Sequence, residues 1–294
     1  MKVGVVMPIG RESDAHIPGW DELRAVAEAA ENGGLDSIWV FDHLLFRFPG
    51  QETEGIHEAW TVLAALAAIT TRVELGILVA AMPFRNPALL AKMAATAEEV
   101  SGGRLILGVG TGWHEPEFDA FGYPFDHRVG RFEEALQILV PLVREGRVRF
   151  EGRYHRADAE IIPRYRRPDG RPTPILIAGR RPRMMRLVAR YADAWNAAWL
   201  GPVAQLEPRV APLREAMIEE GRDPSTIDIT AGVNVITDPA APVPDHALSG
   251  EPQELARELR AYADAGVAHV ICALEPATPA GVERVAQAAR LLRE

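Results

Sequence analysis

Apolar residues in this chain fall into short runs, and most runs are followed by a stretch whose apolar positions recur three and four residues apart. The runs predict strands at Lys2–Met7, Ser37–Phe41, Val73–Val79, Arg104–Val109, Pro174–Ala178, Ala194–Ala198, Ile227–Ile236 and Ala268–Leu274. The intervening stretches predict helices. One follows Pro18, with Leu23, Val26, Ala27 and Ala30 on one face, and stops at Asn32-Gly33-Gly34, where glycine supplies the left-handed cap. Others cover Glu58–Thr70, Pro87–Val100, a fourth marked by Phe132, Ala135, Leu136, Leu139, Val140 and Val143, then a helix after Pro182, Val203–Glu220, Pro252–Ala265 and Pro279–Leu292.

Strand–helix alternation implies a parallel sheet, and eight such units predict a closed (β/α)8 TIM barrel, an α/β fold, with residues 1–294 forming a single domain. An open, doubly wound sheet is the competing architecture; the count of eight and the lack of a domain-sized linker favour closure. Residues 146–173 break the rhythm after helix four. A structureless loop of that length is unusual in a compact domain, so an inserted hairpin followed by an excursion over the barrel mouth is expected.

Composition narrows the function more than the fold. The formal charge of -9 argues against broad binding of nucleic acid or of an anionic membrane. No apolar run approaches the roughly 20 residues of a membrane span, and the N-terminal Lys2–Met7 run is too short for a signal-peptide core. The cytoplasm is the expected location. Cys272 is the only cysteine, which excludes an intrachain disulfide and a cysteine metal cluster; its apolar setting predicts a buried structural thiol. His114-Glu115 is not a zinc helix motif, because no second histidine follows at four residues and Pro116 interrupts. No metal is expected.

In a barrel of this kind the chemistry lies at the C-terminal ends of the strands. Asp42-His43 follows strand two, where an imidazole can donate a hydrogen bond or move a proton near neutral pH; a simple loop contact is the competing reading. Strand three is followed by Ala80-Ala81-Met82-Pro83-Phe84-Arg85-Asn86-Pro87. Its small residues admit a flat ring to the backbone, and Asn86 with Pro87 fits a helix cap. After strand four, Gly108-Val109-Gly110-Thr111-Gly112-Trp113 offers backbone N–H groups to an anion or ring carbonyl, but lacks the third glycine of a dinucleotide fingerprint. After strand five, Ala178-Gly179-Arg180-Arg181-Pro182 brings glycine and guanidinium to a helix N-terminus, a setting suited to phosphate or to a merely solvated basic turn.

Several of these segments together resemble the bacterial luciferase-like superfamily of flavin-dependent monooxygenases and deazaflavin-dependent oxidoreductases. The resemblance rests on Leu75-Gly76, Phe84–Lys92, Ala94-Ala95-Thr96, Val100–Arg104 and Leu107–Trp113, supported by Trp39–His43, Phe150–Tyr154 and Ala192–Asn196. It implies FMN or the deazaflavin coenzyme F-420 at the mouth, with FMN preferred. It also implies a bulge after strand three against the ring, often with a non-proline cis peptide, placed here at Ala80-Ala81 or its neighbour. Asp42, Ala80, Ala81, Met82, Gly110, Thr111, Gly112 and Trp113 are the implied cofactor neighbours, and Ala178, Gly179 and Arg180 the phosphate side. Many members carry a second glycine where this chain has Arg180. His43 matches a histidine beside the cofactor ring and is the expected catalytic residue.

The resemblance implies a small organic substrate, reduced FMN supplied by a separate flavin reductase, and a homodimer. The same residues in a deazaflavin enzyme would exchange hydride between ring and substrate. Two readings of other classes compete: a flavin-binding protein without enzymatic activity, and a phosphosugar-type isomerase barrel, which lacks a strand-end lysine here.

Overall fold

The computed structural model describes residues 1–11, 16–165 and 167–294. Eight parallel strands form the centre: β1 (Lys2–Val6), β2 (Ser37–Val40), β3 (Glu74–Ile77), β4 (Leu105–Gly110), β5 (Ile175–Ala178), β6 (Ala194–Leu200), β7 (Asp228–Ile236) and β8 (His269–Glu275). Each pairs with its sequence neighbours, β8 returns to β1 through Lys2↔His269, and β4 joins β5 through Leu107↔Ile175. The sheet is therefore closed, as the alternation predicts.

Helices α1 (Trp20–Gly33), α2 (Ala59–Ile69), α3 (Pro87–Ser101), α4 (Glu115–Phe121), α5 (Arg128–Arg144), α6 (Pro182–Tyr191), α7 (Glu207–Glu219), α8 (Pro252–Asp264) and α9 (Pro279–Arg293) lie between the strands. The expected apolar face of α1 is buried, and Gly34 caps the helix at φ 85°. Asn86 accepts the N–H groups of Ala88 and Leu89 at the start of α3, with Pro87 in its first turn. Helix α4 departs from the sequence expectation. Pro116 does not interrupt it: proline is well tolerated in a helix's first turn, where its missing N–H has no partner to lose.

Two apolar layers hold the barrel. The larger lies between sheet and helices; the smaller fills the barrel interior with Val6, Trp39, Ile106, Leu176, Ala194 and Ile271. Trp39 is fully buried, and its fit depends on Gly76, where a Cβ would lie 2.0 Å from the indole. An aromatic side chain of this kind buries about 150–250 Å² and contributes on the order of 4–6 kcal/mol. Beneath it, Ser37 Oγ accepts the Trp39 indole N–H at 2.7 Å and lies 2.7 Å from His269 Nε2. This plug leaves open only the upper part of the barrel, where the strands end.

The insertion at 146–173 begins as the expected hairpin, Arg147–Glu151 against Arg156–Glu160. Its turn is held by Glu134 of α5, which accepts the N–H groups of Arg153, Tyr154 and His155. The excursion takes a different path from the one expected. Lys92 donates to Ile162 O, Arg167 donates to Glu98 and Leu105 O, and Thr173 donates to Glu98. Leu105 opens β4, so this segment crosses the end of the barrel away from the mouth. A buried carboxylate, Glu98, anchors it there. Arg166, within the insertion, lies outside the described residues.

Candidate functional site

The strand ends surround a cavity of about 620 Å³. Asp42 and His43 line it from β2, Leu78, Val79 and Ala81 from β3, Gly110–Trp113 from β4, Ala178–Arg180 from β5, and Trp195–Trp199 from β6. A second cavity of about 990 Å³ lies outward beside α5 and α6, and the two share Thr111, Gly112, Trp113, Ala178, Gly179 and Arg180.

His43 sits 2.8 Å through Nδ1 from Glu117 Oε1, and Glu117 Oε2 accepts the Leu44 N–H at 2.9 Å. The Glu117 side chain is fully buried and that of His43 is 15% exposed. With a carboxylate accepting at Nδ1, the imidazole is held in one tautomer and orientation, leaving Nε2 to accept a hydrogen bond or take up a proton, and to donate once protonated. Phe46 at 4.5 Å and Trp113 at 5.5 Å between ring centroids flank the imidazole. Sequence reasoning missed Glu117. It lies on α4, a helix that was not foreseen, and a lone glutamate carries no local motif.

Asp42 lines the cavity, and its carboxylate is also held by the protein itself. Its carboxylate accepts the Ala81 N–H at 2.9 Å and a two-pronged pair from Arg85 at 2.6 and 3.0 Å. Arg85 also reaches Glu58 at 2.6 Å. Burial pushes the Asp42 carboxyl up, against the pull of Arg85. Burial alone would lower the Arg85 guanidinium, but the carboxylates of Asp42 and Glu58 outweigh it and raise it. The network ties the end of β2 to the turn after β3 and fixes the Ala81 backbone.

That turn also differs in detail from expectation. Among the described residues the non-proline cis peptides are Leu78–Val79 and Ala198–Trp199, not Ala80–Ala81. Ala80 and Ala81 resume regular parallel pairing with Val109 and Gly110, so they are strand residues, and alternation sends Val79 and Ala81 to the cavity. Ala80 and Met82 are buried in the core behind it and do not line the cavity.

The β4 turn follows the expected composition. At Gly110 a Cβ would lie 2.7 Å from Val79 Cγ2, and at Gly112 (φ +69°) 2.6 Å from the Phe118 ring. Glycine is thus required by close approach at the first position and also by backbone conformation at the second. Arg128 donates to Gly112 O at 2.7 Å and stacks over Phe125 at 4.0 Å. Trp113, 58% exposed, forms part of the rim. Next to it, His114 Nε2 accepts the Arg47 N–H at 2.9 Å; burial lowers its pKa, opposed by Glu117 and reinforced by His43. On β5, Gly179 O accepts the Trp195 indole N–H at 2.9 Å, while Arg180 is exposed at the junction of the two cavities. Trp195, Asn196 and Trp199 of β6 were not foreseen as cavity walls. Leu78 and Val79, predicted as the end of a strand, line the cavity beyond it.

A closed parallel barrel with a ring-sized cavity at its strand ends, glycine turns on one wall and a buried carboxylate–imidazole pair on another belongs to the class of (β/α)8 cofactor-binding barrels. More narrowly, the chain belongs to the luciferase-like monooxygenase family, whose model matches residues 1–242. It is 28% identical to a pyrimidine monooxygenase of Enterobacter cloacae, over 91% of this chain and 79% of that protein. It is 37% identical to an F420-dependent glucose-6-phosphate dehydrogenase of Amycolatopsis mediterranei, over 64% of this chain and 55% of that protein. In architecture it is similar to an F420-dependent secondary alcohol dehydrogenase solved with an F420-acetone adduct, at a TM-score of 0.80 and 20% identity, covering 100% of this chain and 99% of the other.

Proposed function

We propose that this chain is a flavin-dependent oxidoreductase that uses reduced FMN and dioxygen as a monooxygenase on a small organic substrate. The observation that carries the reading is the convergence of His43–Glu117, the Val79–Ala81 wall and the Gly110–Trp113 turn on one cavity within the family's barrel. The cavity fits a flat ring. Its polar groups are few and placed at the edge, its walls are mainly apolar, and the missing Cβ atoms at Gly110 and Gly112 keep it open. The bound cofactor supplies the electron transfer and oxygen activation.

In this reading Gly110, Thr111, Gly112 and Trp113 hold one edge of the ring, and Ala178, Gly179 and Arg180 hold the phosphate side. Asp42 positions the Ala81 backbone against the ring, and His43 holds or moves a proton at Nε2. A separate reductase supplies reduced FMN, the chain works as a homodimer in the cytoplasm, and residues 1–294 act as one domain. Among the described residues no helix is long and apolar enough to cross a membrane.

A second reading, hydride transfer with F420, is favoured by the 37% identical dehydrogenase. Absorbance titration of the purified protein with each cofactor separates them. FMN binding with substrate-dependent oxygen uptake supports the monooxygenase, and F420 binding without oxygen uptake supports hydride transfer. Binding of neither overturns both and leaves no support for a flavoprotein without enzymatic activity.

A further inference from the structure

Among the described residues, the mouth cavity carries positive charge without a matching carboxylate. Two arginines line it, Arg180 after β5 and Arg209 on α7 after β6. Among the described residues its only lining carboxylate is Asp42, already held by Arg85 and the Ala81 N–H. Among the described residues no carboxylate or carbonyl pairs with either guanidinium, whereas Arg85, Arg131, Arg167, Arg183 and Arg190 each hold a carboxylate. Arg209 is nevertheless half-buried, in a wall that includes Trp199.

The two arginines stand in different places. Arg180 borders both cavities, at the junction with the outer one; Arg209 borders only the inner one. In the closed ring β6 lies four strands from β2, so the Arg209 wall and His43 line opposite sides of the mouth. The turns after β4 and β5, where the cofactor is placed under the proposed function, lie between them on one side.

We infer that Arg209 is a specificity-determining residue that binds an anionic group, a carboxylate or phosphate, on a substrate whose apolar body packs between Trp199, Trp113 and Phe46. The inference rests on the proposed function for the position of the cofactor, and it adds the chemical class of the substrate. A guanidinium presents a planar fork of donors to such an anion, and the half-buried setting strengthens the pairing relative to open water. The aromatic walls select against small inorganic anions by offering them nothing to cover.

Benzoate and benzyl alcohol, which share a ring and differ in charge, are suitable probes. Their affinities are measured by calorimetry on the protein with and without bound cofactor, for wild type, Arg209→Gln, Arg209→Lys and Arg180→Gln. Benzoate should bind wild type about tenfold or more tightly than benzyl alcohol, the range expected for one charge-assisted pair. Arg209→Gln should erase that preference and leave benzyl alcohol affinity unchanged, while Arg209→Lys retains most of it. Arg180→Gln should weaken cofactor binding and keep the preference. Equal affinity for the two probes in wild type, no benzoate binding, a preference that survives Arg209→Gln, or one abolished by Arg180→Gln instead, each overturns the inference. Cofactor titration of the same samples is read independently. Loss of FMN and F420 binding from wild type overturns the proposed function, whereas an unselective cavity in a cofactor-binding protein overturns only the role of Arg209.

Discussion

His269 makes the stability of the barrel depend on pH in a calculable way. It opens β8 under the Trp39 plug, is buried, and lies 2.7 Å from Ser37 Oγ. Burial, with Lys2 and the N-terminal amine adding repulsion, lowers its pKa from 6.5 to about 3. The folded protein therefore keeps a neutral imidazole at a pH where the unfolded chain takes up a proton. Stability from this group is fully present above the unfolded value and is lost as pH falls from 6.5 toward 3. Between about pH 8 and about pH 5 the loss is about 2 kcal/mol, most of it below pH 6.5. His269→Gln places a neutral amide next to Ser37 and removes the titration. Denaturant unfolding of both proteins across this range measures the effect, because the carboxylates that also drive acid unfolding are common to both and cancel. The wild-type advantage over the variant should shrink by about 2 kcal/mol on acidification. Two stability curves that stay parallel across the range would refute the buried, neutral state of His269.

Other expectations concern the mouth. Glu117→Gln keeps an acceptor for Leu44 N–H but removes the charge that orients His43, so turnover should fall by about tenfold or more while cofactor affinity, read by absorbance titration, stays near wild type. His43→Ala should lower turnover further; unchanged turnover with intact cofactor binding removes His43 from the chemistry. Gly112→Ala forces a side chain into φ +69° and against Phe118, and should cost about 1–2 kcal/mol or more in unfolding free energy together with cofactor affinity. Asp42→Ala leaves the Arg85 guanidinium without its buried partner and should cost about 3–5 kcal/mol, partly offset by Glu58, as measured by thermal or denaturant unfolding.

The barrel was legible because its signals are repetitive. Apolar strand runs, amphipathic helices, Gly34 as a helix stop and Asn86-Pro87 as a helix start each specify a local conformation, and eight repeats leave little choice of closure. The cavity was legible where close approach demands glycine, at Gly110, Gly112 and Gly179. The illegible parts share a different property: they depend on pairs distant in the sequence. Glu117 is meaningful only beside His43, 74 residues away. Glu98 anchors the insertion through Arg167, 69 residues away, and so pulls it to the opposite end of the barrel from the mouth.

Asp42 and Arg209 mark the two ways in which charge is used at this mouth. Asp42-His43 looks in sequence like one functional unit, yet beyond the end of β2 the two side chains take different partners, and the pair divides its labour. Asp42 turns to Arg85 and Ala81 and shapes the wall; His43 turns to Glu117 and presents Nε2 to the cavity. The Asp42 charge is thereby consumed in structure. Arg209 has no such partner among the described residues, so its charge remains available to a ligand. A rigid, internally neutralised wall on the β2–β3 side and an uncompensated cation on the β6 side make the mouth polar across its width. In that field a substrate is oriented by its anionic end, and its remainder is carried toward His43.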